Sequence, residues 1–159
     1  MPAGKKKYPH LILTASPEIH PRLTKKGISS LESLELLRQA LPENMTLLKP
    51  EGLRAGEVWI RVQQKTGVVW IVGDAFLNYA RYSNRPIARF LQKMLHAAPH
   101  LKISTVIKYL LIKDRKRYKN WLLNQLKEDR PTTLIPLHGE VLKSEQVPLE
   151  IETIVQKRL

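Results

Sequence analysis

Cysteine is absent from the 159 residues. That excludes disulfides, a thiolate nucleophile and any cysteine-ligated zinc or iron–sulfur centre. Long apolar runs are missing too. Stretches such as Val68 to Val72 fall far short of the ~20 residues that a membrane-spanning helix requires. The opening, Met1 to Lys7, is basic, but the apolar run after His10 is too short for the core of a signal peptide. The expectation is a cytoplasmic protein with no transmembrane segment. Acidic residues are scarce, 14 against 27 Lys and Arg, which leaves a formal charge of +13.

What is present reads as one globular domain spanning residues 1–159, since apolar residues make up 43% and charged residues 26% of the chain. The positive charge is unevenly distributed. Between Arg81 and Lys119 stand eleven Lys or Arg and a single acid, Asp114. Such a field attracts polyanions and supports salt-sensitive binding, although a basic surface also serves solubility alone.

Periodicity divides the chain into mixed elements. Leu11 to Thr14 reads as a buried strand. Ser29 to Glu32 has the form of a capping box, with Leu31, Leu34, Leu37 and Leu41 continuing at helical spacing until Pro42. Three strands follow at Met45 to Leu48, Glu57 to Val62 and Gly67 to Val72, the last two as a hairpin, with the final strand ending at Gly73 and Asp74. Asn84 and Pro86 open a helix whose Ile87, Phe90, Leu91, Met94 and Leu95 predict packing on a core. Ile103 to Ile112 and Asp114 to Lys127 predict two further helices, Thr133 to Leu137 a strand, and Pro148 to Leu159 a terminal helix. The order of elements implies an α/β fold, a layered sheet with flanking helices.

Ligand sites in such folds gather beyond the strand ends. Asp74 follows one apolar strand and His138 another, with Gly139 permitting a tight turn. A carboxylate and an imidazole offered from rigid positions can hold a divalent metal. Each alone is more often structural, the Asp as a helix cap and the His as a local hydrogen-bond partner.

The segment VVWIVGDAFLN from Val68 to Asn78, the basic helical region after it, LIKDRKRY from Leu111 to Tyr118 and TLIPLHGE from Thr133 to Glu140 together resemble the C-terminal half of the metallo-β-lactamase superfamily. The likeness is to a degenerate branch and covers about residues 45 to 142. It implies a metallo-β-lactamase-like fold, a reduced or half αββα sandwich, with Asp74 as the metal-bridging carboxylate and His138 as the late histidine. In the first half, the place of the family's His-x-His-x-Asp-His run is taken by Ala15 to His20. Only His20 survives as a ligand there, because Ala15, Pro17 and Ile19 cannot bind metal. The resemblance therefore implies one divalent metal, zinc or iron, held by His20, Asp74 and His138, or none. It implies in turn a metal-dependent hydrolase with a reduced site or no activity.

The competing expectation is a non-catalytic scaffold that binds an anionic partner, nucleic acid or an anionic surface, through Arg81, Arg85, Arg89, Lys93, Lys113, Arg115, Lys116, Arg117 and Lys119. Tyr79, Tyr82 and Tyr109 are interleaved with these cations and can stack on bases, whereas Tyr118 falls on an apolar face. No helix-turn-helix, zinc-finger or RNA-recognition signature accompanies them. A shortened form of a longer enzyme is a further reading.

Overall fold

A computed structural model describes residues 8, 10–28, 30–54, 56–103, 105 and 107–159. The chain divides into two compact units, residues 1–43 and 44–159. In the first, strand β1 (Leu13–Ala15) pairs in parallel with β2 (Leu31–Ser33), and a 3-10 turn (Pro17–Ile19), helix α1 (His20–Thr24) and helix α2 (Leu34–Ala40) complete the unit. The helix expected from Leu31 thus begins three residues later. Leu31 to Ser33 instead satisfy their backbone groups against Leu13 to Ala15, a pairing that helical periodicity does not encode. Ser29 of the expected capping box lies outside the described residues.

The second unit is a mixed α/β layer. Strands β3 (Met45–Leu48), β4 (Trp59–Gln64), β5 (Gly67–Tyr79), β7 (Thr133–Gly139) and β8 (Leu142–Lys143) lie in the order β3-β4-β5-β7-β8, and β6 (His100–Lys102) pairs with the far end of β5. All contacts are antiparallel except β5 with β7, which is parallel. The connection between those two strands carries helix α3 (Pro86–Met94), β6, a π-helical segment (Ile107–Leu111) and helix α4 (Arg115–Asp129). Helix α5 (Val147–Arg158) closes the chain.

Side chains alternate across a strand, so Val68, Trp70 and Val72 of β5 share a face with Trp59 of β4. Tyr118, Leu122 and Leu126 of α4 and Val147, Ile151 and Val155 of α5 join them in one buried cluster. Aromatic rings fill its centre, with Trp59 5.6 Å from Trp70, 5.9 Å from Phe76 and 5.2 Å from Trp121 between centroids. Such tilted and edge-on contacts add to the area that large rings bury. Asp129 is buried at the end of α4, where it accepts hydrogen bonds from Arg61 Nε at 2.6 Å, Trp70 Nε1 at 2.8 Å and Gln125 Nε2 at 3.0 Å. The buried carboxylate is therefore paired and ties α4 to β4 and β5.

Candidate functional site

β5 does not end at Gly73 and Asp74 but runs on to Tyr79. Val72 lies opposite Pro136 of β7, and the next paired residue, Leu77, lies opposite His138. Residues 73–76 on β5 therefore face a single residue, Leu137, on β7, which makes a large β-bulge. A bulge re-aims side chains and leaves backbone groups outside the ladder. Here it turns Asp74 toward the neighbouring strand, where its Oδ1 faces His138 Nε2 at 3.2 Å. Asp74 thus sits in mid-strand and His138 inside β7. Sequence reading missed the extension because Gly and Asp are poor strand formers and read as punctuation.

Glu57 holds the bulge in place. Its carboxylate accepts hydrogen bonds from Trp59 Nε1 at 3.0 Å and from the backbone N–H groups of Asp74 and Ala75. Gly73 makes room for it, since a Cβ there would come within 2.6 Å of Glu57 Oε1. Burial is the main effect lifting the Glu57 pKa above its ordinary value of 4.5. The Asp74 carboxylate lifts it further, and the three hydrogen bonds oppose the rise. The buried Tyr118 hydroxyl, which has no hydrogen-bond partner, is pushed up by burial and by Glu57. Periodicity places Glu57 only at the start of a strand. Its signal was spacing: an acid two residues before a tryptophan whose indole N–H needs an acceptor once buried.

Gly139 completes the junction. With φ +103°, it adopts a conformation that side chains rarely take, and a Cβ would collide with the Asn78 carbonyl. Asn78 Nδ2 also donates to Glu140 O at 2.9 Å. The two strand ends are thereby drawn together beside an apolar cavity of about 300 Å³, which Asp74 and His138 border together with Leu77, Leu95, Ile107 and Leu110.

Of the three expected metal ligands, Asp74 and His138 are brought together. His20 belongs to the first unit, where its ring Nε2 bonds to Ala15 O at 3.0 Å. Among the described residues, no group of three or more His, Cys, Asp or Glu is arranged to hold a metal ion. A carboxylate beside an imidazole at the mouth of an apolar cavity can orient and polarise that imidazole.

The basic residues divide between two elements. Arg115, Lys116, Arg117 and Lys119 ride on the N-terminal half of α4, where Arg117 Nε pairs with Glu51 at 2.8 Å, with Lys113 just ahead of it. Arg81 and Arg85 precede α3, and Arg89 and Lys93 lie on it. Tyr82 and Tyr109 carry cations over their rings, Lys93 at 5.6 Å and Arg115 at 5.9 Å.

Helix α3 overturns an expectation. Its apolar side chains do not pack on a core: Ile87 is 76% exposed, Phe90 65%, Met94 53% and Leu91 43%. The polar residue Gln92 is tied to the protein, accepting a hydrogen bond from Ser83 N at 2.7 Å. Periodicity reports that a helix has an apolar face, not which way the face is turned.

No family model, curated protein or solved structure matches this chain.

Proposed function

We propose that the chain is a binding domain for an anionic surface, with α3 lying on that surface and the basic residues from Arg81 to Lys119 supplying the attraction. One observation carries this reading: α3 is inside out, with Ile87, Phe90, Leu91 and Met94 turned to solvent and flanked by Arg85, Arg89 and Lys93. A short helix with a clean apolar stripe and cationic flanks has the composition of one that lies in a lipid–water interface. Each cation near an anionic leaflet contributes about 1 kcal/mol. Each apolar side chain contributes about 1.5–3 kcal/mol when fully buried. The two contributions are comparable, so attachment needs both. Nucleic acid rewards the cations but offers little to four aliphatic and aromatic side chains on one stripe. A second copy of the chain would bring like-charged faces together.

Co-sedimentation with phosphatidylserine-rich and with purely phosphatidylcholine vesicles tests the proposal. Binding is expected to the first and not the second, falling with added salt and disappearing in an Ile87→Ser, Phe90→Asp variant. Equal binding by that variant would overturn the reading, as would RNA binding without vesicle binding.

A second reading is a degenerate metallo-β-lactamase-like protein in which Asp74 and His138 hold one zinc or iron ion. The supporting observation is the 3.2 Å approach of Asp74 to His138, a separation that two ligands of one ion with ~2.0–2.2 Å bonds can share. A bound ion would supply Lewis acidity at the cavity mouth. Elemental analysis of untagged protein grown with added zinc and iron is expected to find up to one ion per chain, lost on Asp74→Ala. Metal-free protein from such cultures would remove this reading.

A further inference from the structure

Lys93 of α3, Lys102 of β6, and Lys157 and Arg158 at the end of α5 converge on a cavity of about 230 Å³, with His96 on its rim. Four cations from three elements meet there, and no carboxylate lines the cavity. None of the four is joined to a carboxylate by an ion pair among the described residues. Positive charge gathered around one cavity without a carboxylate is lowered in energy by an anion bound there. Arg158 strengthens the case. Its Nε donates to Ile103 O at 3.4 Å, but its Nη2 is buried and has no acceptor. A buried guanidinium N–H without a partner is costly. The walls are not uniformly polar, since Ala98, Pro99 and Ile154 form an apolar side and the Tyr82 ring lies under Lys93 at 5.6 Å.

We propose that this cavity is a binding site for a compact, multiply charged phosphate group. Arg158 would give it a directed donor, and Lys93, Lys102 and Lys157 would neutralise its charge. The site shares Lys93 and Lys102 with the basic field but adds Lys157 and Arg158 of α5, and a discrete pocket selects for clustered charge, whereas a charged surface responds to total charge. Both a soluble polyphosphate and a phosphorylated lipid headgroup present this chemistry.

Titration calorimetry of the full chain with sodium pyrophosphate tests the site without any membrane, so its outcome is independent of the surface reading. One saturable site is expected. Binding should weaken about tenfold or more in a Lys102→Gln, Lys157→Gln variant. It should stay essentially unchanged in Lys65→Gln, Lys143→Gln, which removes the same charge from exposed positions outside the cavity. Vesicles carrying phosphatidylinositol bisphosphate provide the second arm. Loss of their extra binding in the cavity variant identifies a lipid headgroup as the source, and a response confined to pyrophosphate identifies a soluble one. The proposal fails if neither probe binds in a cavity-dependent way, or if both variant pairs weaken binding equally.

Discussion

The bulge on β5 and the helix α3 are near neighbours in sequence, residues 73–76 and Pro86–Met94, and are opposites in how they treat their own functional groups. At the bulge, the freed backbone groups are answered from within, while Asp74 Oδ1 and the Tyr118 hydroxyl are buried without a hydrogen-bond partner. Glu57 takes up the freed amides of Asp74 and Ala75, His138 faces Asp74, and Asn78 holds Glu140. On α3 the apolar groups are left unanswered, with four apolar side chains in water and no ion pair to Arg85, Arg89 or Lys93 among the described residues. Internal satisfaction marks a region that the fold itself requires. An unsatisfied surface marks a region whose partner is elsewhere. Residue types alone point the other way, because Asp and His attract functional readings and Ile and Phe attract structural ones.

Three substitutions test that contrast. The largest effect is expected for Glu57→Ala, which strands the Trp59 indole N–H and two bulge amides and should cost about 3 kcal/mol in denaturant unfolding. A loss below about 1 kcal/mol would show that the bulge does not depend on this carboxylate. Phe90→Asp on α3 should stay within about 0.5 kcal/mol of the parent, because that ring packs on little. A large loss there would mean that the apolar stripe supports the fold and would erase the contrast. The smallest effect concerns pH. Because the Glu57 pKa is raised in the folded state, the group favours folding while protonated, below its ordinary value of 4.5. That contribution is lost as pH rises through the folded value. Melting temperatures of Glu57→Gln and the parent, followed from about pH 4 to 7, should therefore diverge in favour of the variant as pH rises. Parallel curves would show that Glu57 titrates normally.

Much of the architecture was legible in the sequence. The hairpin of β4 and β5, helix α4 beginning behind its Asp114 cap, and helix α5 follow from periodicity and capping chemistry. Elements that depend on distant partners were not legible. β6 forms because Leu101 and its neighbours find the far end of β5, and β8 because Leu142 finds Leu134. The π-helical turn at Ile107–Leu111 stands where an ordinary helix over Ile103 to Ile112 is expected, with Ile103 buried in the core instead. As for the site, the sequence places Asp74 and His138 at the ends of two apolar strands, but neither the pairing of those strands nor the bulge that makes the residues meet leaves a local trace. The phosphate cavity was invisible for a similar reason: Lys93, Lys102 and Lys157 carry no shared spacing and are assembled only by the fold.

The pairing of Tyr79 with His100 closes residues 80–99 into a loop whose two ends are already neighbours in the sheet. Such a loop is a cassette. Its length and content can change at a cost that grows only with the logarithm of its size, while the hydrogen bonds at its base stay where they are. The part of the molecule that turns outward can therefore diverge, lengthen or be replaced by a tight turn on its own schedule. The sheet beneath, with Trp59 and Trp70 at its centre, gives selection no comparable freedom.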